Sequence, residues 1–434
     1  MEPVTVGLLG IVFLLVLFML DMPVAFAMAI VGFVGFSYVV GPESGLALLT
    51  RDIFSQLSFY PLSVIVLFVL MGSFAFASGM SRRLYDSSYK LAGRVPGGLA
   101  FATVLACSGF AAICGSATAT AATIGRVALS EMRRYGYGDG LATGSVAATG
   151  SIGLLIPPST IFIVYGILTE QSVGELFAAG IVPGIILTVF FLVTVMILAL
   201  CNPEQAPAGF PASFTEKIRA LWNVTDIFVL FLISIGGMFL GWFSPNQAAG
   251  VGAGGALLIG LIGRELTWRK FIDATRQGLR TACMVLFLIA GATVFGKFMA
   301  VSTIPTAISS WVGGLPYSPG WIMAILCGIF LVGGCFIDAM ALVILAIPIL
   351  YPIVLQLQYD PVYFGVVVVL VSQIGVVTPP VGANVFVVKG IAEEVPIETI
   401  FKGTFPFLLA LVICLGIVVA FPALSLFLPH LLVK

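Results

Sequence analysis

Apolar residues run along this chain in long blocks rather than in alternation with polar ones. Val4–Leu20, Val64–Ala77, Ile181–Leu200 and Leu408–Phe421 contain no charged side chain, which neither an amphipathic surface helix nor a half-buried strand would show. Crossing a hydrocarbon core of about 30 Å takes roughly 20 apolar residues in helical form. The blocks predict about ten spans, at about 4–20, 23–40, 60–79, 140–168, 176–200, 224–243, 246–263, 281–300, 361–388 and 403–428. Two more apolar segments, about 96–132 and 319–355, remain.

The basic residues decide what those two segments are. Lys and Arg in short loops stay on the cytoplasmic side. They gather at Arg82, Arg83, Lys90 and Arg94; at Arg126, Arg133 and Arg134; at Lys217 and Arg219; and at Arg264, Arg269, Lys270, Arg276 and Arg280. The loops near 41–58, 170–175, 244–247, 301–318 and 356–360 are poor in them. One threading satisfies this partition. The segments 96–132 and 319–355 enter and leave on one side, as re-entrant hairpins, and both termini face the external side. Composition agrees with a lipid-solvated chain: of 434 residues 60% are hydrophobic and 9% charged, with a mean hydropathy of +1.18, against about 25% charged in soluble domains. The N-terminus lacks a basic region and a small-residue cleavage site, so Met1–Leu20 is expected to stay as a first helix closed by Asp21-Met22-Pro23.

The two halves repeat. Ile156-Pro157-Pro158 matches Thr378-Pro379-Pro380 at an offset of 222 residues. The same offset carries Ser151-Ile152-Gly153 onto Gln373-Ile374-Gly375, Ser116 onto Asp338 and Pro23 onto Pro245. The fold class expected is an all-α polytopic membrane protein of two inverted-topology repeats, about 1–222 and 223–434. Each holds five spans and one hairpin, and the odd number of crossings turns the second copy over. Such repeats build many secondary transporters. Each half breaks one span: about 140–168 and 361–388. A double proline removes amide donors and clashes with the preceding turn, and irregular backbone at membrane depth survives only inside protein or along a cavity. Gly153 and Gly375 precede the breaks, and the hairpins carry small and polar middles, Gly115-Ser116-Ala117-Thr118-Ala119-Thr120 and Gly333-Gly334-Cys335-Phe336-Ile337-Asp338. Freed carbonyls suit Na⁺, and half-helix N-termini suit a carboxylate or sulfonate.

Asp338 is the most informative charge, because an intramembrane carboxylate is a functional candidate by default. It either caps the second hairpin arm or meets the ion or substrate directly. Ser116, its partner in the repeat, and Thr118, Thr120 and Asn384 are the other substrate-contact candidates, although hydroxyls on helices often bond their own backbone. Net charge is zero, which gives no ground for a nucleic-acid partner. Seven cysteines, six of them in apolar segments, fit no metal spacing, and the single histidine, His430, sits near the C-terminus. A membrane enzyme would need convergent catalytic groups, and a channel a pore-lining ring; neither pattern is visible. No G-x-x-x-x-G-K-[ST] run exists to bind ATP.

The run Gly115 to Gly125, with Glu131-Met132 and Gly136-Tyr137 behind it, resembles the first hairpin of the large membrane subunit of tripartite ATP-independent periplasmic (TRAP) transporters. So do Gly153-Leu154-Leu155-Ile156-Pro157-Pro158-Ser159, Tyr165-Gly166, Thr169-Glu170-Gln171-Ser172, Asp360-Pro361-Val362-Tyr363-Phe364-Gly365 and Thr378-Pro379-Pro380-Val381-Gly382-Ala383-Asn384. The resemblance spans essentially the whole chain. It implies an elevator-type, Na⁺-driven transporter in a bacterial inner membrane, fed with a small organic anion by a periplasmic substrate-binding protein and supported by a small four-helix membrane subunit. It further implies two Na⁺ sites, one at Ala111, Cys114, Gly153, Ile156 and Pro158, the other at Gly334, Gly375, Thr378 and Val381. Family members often carry serines where this chain has Ala111 and Cys114, so only carbonyls are on offer there. The alternative is a stand-alone Na⁺-coupled anion symporter or antiporter of related architecture.

Overall fold

The computed structural model describes residues 2–92, 95–207, 209 and 212–432; Arg94 of the first basic cluster lies outside them. Every regular element among the described residues is a helix. Five are long and apolar enough to cross a membrane alone: Tyr60–Ala77, Val173–Cys201, Trp268–Val301, Ala339–Gln356 and Ile397–Ala420. Pro3–Met19 and Val24–Val40 are apolar helices of 17 residues each.

Several expected loops and ends differ. The segments 41–58 and 301–318, read as loops, carry the helices Pro42–Leu57 and Ile304–Gly313. Met80–Ala92 and Phe214–Trp222 are likewise helical, each with polar residues along one face that lower the apolar signal. The span expected from about 281 begins at Trp268, where Thr267 caps it by accepting the Lys270 amide at 3.4 Å. Hydropathy registers the part in lipid and not the basic extension. The span expected to reach 428 ends at Ala420, and Phe421-Pro422 separates it from Ala423–Leu432. The span near 224–243 passes through a π turn at Leu232–Gly236 and meets Phe214–Trp222 at a 43° bend.

Both hairpins are present as paired helices. Gly98–Cys114 stops at Gly115, whose φ of 63° suits glycine, and the chain re-enters as Ala117–Arg134. Pro319–Gly334 is followed by Ala339–Gln356. The helices Ala117–Arg134 and Ala339–Gln356 begin and end 222 residues apart. Both expected breaks occur: Asp139–Gly150 tightens into the 3₁₀ turn Ser151–Leu154 before Thr160–Thr169, and Pro361–Gly375 stops before Ala383–Ile391. Pro157-Pro158 and Pro379-Pro380 are cis.

Polar contacts sort the loops into two ends of the bundle. At one end Arg83 pairs with Asp226 at 2.8 Å, Ser87 donates to the Ala220 carbonyl at 2.9 Å, Gly138 donates to Gln205 at 3.0 Å, and Arg133 pairs with Glu394. At the other, Asn246 donates to the Tyr60 carbonyl at 3.0 Å, Tyr165 to that of Pro361 at 2.6 Å, and Gln171 to the Tyr351 hydroxyl at 3.3 Å. Between the ends, helices approach through small residues, as membrane helices do in the absence of a hydrophobic drive. A methyl group at Gly144 would overlap the Gly403 backbone, and one at Gly403 the Gly140 carbonyl. Gly403→Val should therefore destabilise by about 1–3 kcal/mol or more, read as a lower melting temperature in detergent. Gly250→Ala, where an added methyl meets nothing within 4 Å, should leave it unchanged.

Candidate functional site

Two prolines in succession cost two carbonyls their helical amides, those four residues earlier. At the first break these are Gly153 and Leu154; at the second, Gly375 and Val376. The replacements are specific. The Ser159 hydroxyl donates to Leu154 O at 2.5 Å. The Asn384 amide donates to Val376 O at 3.0 Å, and Thr378 N to Gly375 O at 3.2 Å. Each hairpin tip then seats on its break. Thr160 donates to Gly115 O from its amide at 3.3 Å and from its hydroxyl at 3.0 Å, and Val381 N donates to Cys335 O at 3.1 Å.

The first sodium set implied by the resemblance gathers around that first seat. A methyl at Gly115 would overlap the Pro158 carbonyl, and one at Gly153 would lie 2.7 Å from Ser116 O and 2.9 Å from Thr120 Oγ1. Thr120 itself donates to Ser116 O at 2.7 Å. Ala111 O accepts the Gly115 amide at 3.2 Å, and Cys114 packs on Gly72 of the Ser63–Ala77 helix. Ile156 lies half-buried against Gly184. In the second set Gly334 and Gly375 meet backbone to backbone, since a methyl at Gly375 would lie 2.7 Å from Gly334 Cα. Thr378 donates its hydroxyl to Ile374 O at 2.6 Å, keeping its lone pairs free to face a cation. The two seats differ in setting. Pro157 and Pro158 are buried, whereas Pro379 and Pro380 are exposed and Val381 is 40% exposed.

Beside the tips lies a cavity of about 310 Å³. One wall is made by the second arms of both hairpins, including Ser116, Thr118 and Asp338; the other by Ser73 of Ser63–Ala77 and Gln277 and Thr281 of Trp268–Val301. Ser116 and Asp338 are both N-caps. Ser116 Oγ accepts the Ala119 amide at 3.4 Å and lies 3.4 Å from Thr118 Oγ1, and Asp338 Oδ1 accepts the Met340 amide at 2.9 Å while remaining open to the cavity. Capping and contact with a ligand are thus compatible roles for Asp338. Asn384 stands apart: it is fully buried, away from the cavity lining, and its Nδ2 donates to Ala147 O at 2.9 Å in the first broken helix. Sequence reasoning placed Arg126 only among the basic loop residues, yet it lines this cavity with Thr118 and Ala122. The spacing 118, 122, 126 is one helical face and was available as a signal. Gln277 and Thr281 come from a distant helix, and no local pattern announces them.

Lipid-length apolar helices, two helix pairs joined at tight turns and a cavity beside two broken helices define a polytopic membrane protein. Residues 11–424 match the family model described as "Tripartite ATP-independent periplasmic transporter, DctM component". The chain is 35% identical to the C4-dicarboxylate TRAP transporter large permease protein DctM of Pseudomonas aeruginosa, covering 90% of each. It is also 35% identical to the isethionate TRAP transporter permease protein DctMQ of Oleidesulfovibrio alaskensis, over 86% of this chain and 59% of that one. Its fold resembles that of the YdaH transporter of Alcanivorax borkumensis, with a TM-score of 0.63 at 17% identity over 88% of this chain and 89% of that one. The chain belongs to the DctM-component family of TRAP transporters, as the large membrane subunit. These curated relatives are transporter permeases and not enzymes.

Removing the Asp338 carboxylate leaves the Met340 amide without its acceptor. Asp338→Ala should cost about 0.5–2 kcal/mol of stability, and Asp338→Asn, which keeps an acceptor oxygen, should recover most of it in a detergent melting assay.

Proposed function

We propose that this chain is the permease subunit of a Na⁺-driven importer of a small organic anion, a carboxylate or sulfonate, handed over by a periplasmic substrate-binding protein. A small four-helix membrane subunit braces it in the bacterial inner membrane, with both termini periplasmic. The observation that carries the reading is a cavity bordered by the N-caps of both hairpins, each hairpin seated on a Pro-Pro break. Two inverted repeats are supported by element bounds that recur at 222 residues. In an elevator, the hairpins and broken helices travel against Ser63–Ala77 and Trp268–Val301, the helices that form the opposite cavity wall. The names of the two relatives, one for C4-dicarboxylates and one for isethionate, support the carboxylate or sulfonate class.

The donor chemistry fits Na⁺ as the coupling ion. The carbonyls of Ala111, Cys114, Gly153, Ile156 and Pro158 form one oxygen set, and those of Gly334, Gly375 and Val381 with Thr378 form the other. Hard monovalent cations favour such oxygens. Uptake in proteoliposomes holding the permease and its small subunit should require both an inward Na⁺ gradient and a loaded binding protein. Robust uptake with neither would favour the stand-alone transporter reading.

Thr378 is the one hydroxyl in the second set, and its repeat partner Ile156 has none. Thr378→Val should shift the curve of initial uptake rate against Na⁺ concentration to higher Na⁺, with normal expression, while Ile156→Val should barely move it. An unchanged curve for Thr378→Val removes that side chain from the site. For orientation, a single cysteine at 269 on a cysteine-free background should resist impermeant thiol reagents in intact cells, whereas one at 317 should react.

A further inference from the structure

A cation inside a membrane transporter's cavity demands an account. Arg126 lies on the Ala117–Arg134 arm and lines the cavity in register with Thr118 and Ala122, and among the described residues it has no ion-pair partner. It is the one Lys or Arg in the cavity lining. An arginine serving only the membrane interface would sit on an outer face and stretch along the arm toward Arg133 and Arg134, which end it. Helical side chains lean instead toward the N-terminus of their helix. Here that direction is toward Thr118 and the Ser116 cap. Arg126 is two turns beyond Thr118, roughly 12 Å along the axis at about 1.5 Å per residue, and a leaning arginine closes much of that gap.

The cavity is therefore polarised. Arg126 supplies a positive charge from the Ala117–Arg134 side of the cavity, and Asp338 a carboxylate from the second tip. Gln277 and Thr281 on the opposite wall are neutral, so nothing there competes for an incoming anion. The guanidinium fork matches the paired oxygens of a carboxylate or sulfonate.

We propose that Arg126 is the anion anchor of the cavity: it binds the charged head of the transported organic anion and orients the remainder toward the Ser116–Thr118 end. This rests on the anion-import reading above. It adds a residue that determines specificity, distinct from the Na⁺ sets.

The test compares wild type, Arg126→Gln and Arg126→Lys, each reconstituted with the small subunit and binding protein. Succinate and isethionate serve as probes for uptake and, on the detergent-purified permease, for ligand-induced thermal shift. A charge-assisted pair is worth about 1.5–3 kcal/mol, so Arg126→Gln should weaken binding and raise the apparent KM for the carried anion by roughly 10–100-fold. Its Na⁺ dependence and ligand-free melting temperature should match wild type. Arg126→Lys should recover part of the loss, since it keeps the charge without the fork. Wild-type affinity in Arg126→Gln overturns the proposal. So does a defect that follows the phosphatidylglycerol content of the vesicles and not the probe, which would assign Arg126 to lipid headgroups. A wild-type protein that carries and binds neither anion fails the import reading as well, whereas wild-type transport with an unaffected Arg126→Gln fails the anchor alone.

Discussion

Every backbone polar group buried in lipid must find a partner inside the protein, and this constraint organises the fold around its two double prolines. Each Pro-Pro strips two carbonyls of their amides. The Ser159 hydroxyl and the Asn384 and Thr378 amides answer three of the four vacated carbonyls, at Leu154, Val376 and Gly375. The hairpins exist in the same context: their tips bring Gly115 O to Thr160 and Cys335 O to Val381. Remove the first tip and the buried Thr160 amide and hydroxyl lose their acceptor, at about 1–3 kcal/mol each.

Close backbone approach follows from the same need. Gly334 against Gly375, and Gly144 against Gly403, let helices touch where any side chain would hold them apart. In lipid this packing, and not apolar burial, brings helices together. Its counterpart is the wall across the cavity, where Ser73, Gln277 and Thr281 face the hairpins over open space.

Much of this was legible in the sequence because the signals were local. The Pro-Pro pairs, the hairpin glycines and the constant offset needed no tertiary knowledge, and the helices end at Arg134 and Gln356, close to the expected hairpin limits near 132 and 355. The amphipathic helices at Pro42–Leu57 and Ile304–Gly313 were illegible to a hydropathy reading, which averages away a one-sided pattern. Ser116, Thr118 and Asp338 share the cavity as a hairpin reading suggests, whereas Asn384 turns toward Ala147 because the two broken helices cross there. Which wall faces the tips depends on helix packing across more than a hundred residues of sequence, and that information has no local signature.

That crossing bond has a mechanical meaning. Asn384 belongs to the half-helix after the second break, yet its side chain holds the half-helix before the first, and its own amide closes the second break at Val376. Sliding one broken helix without the other would rupture a buried hydrogen bond, from Asn384 Nδ2 to Ala147 O. One side chain thus ties the two breaks to each other, so a displacement of either helix pulls on the backbone of its twin.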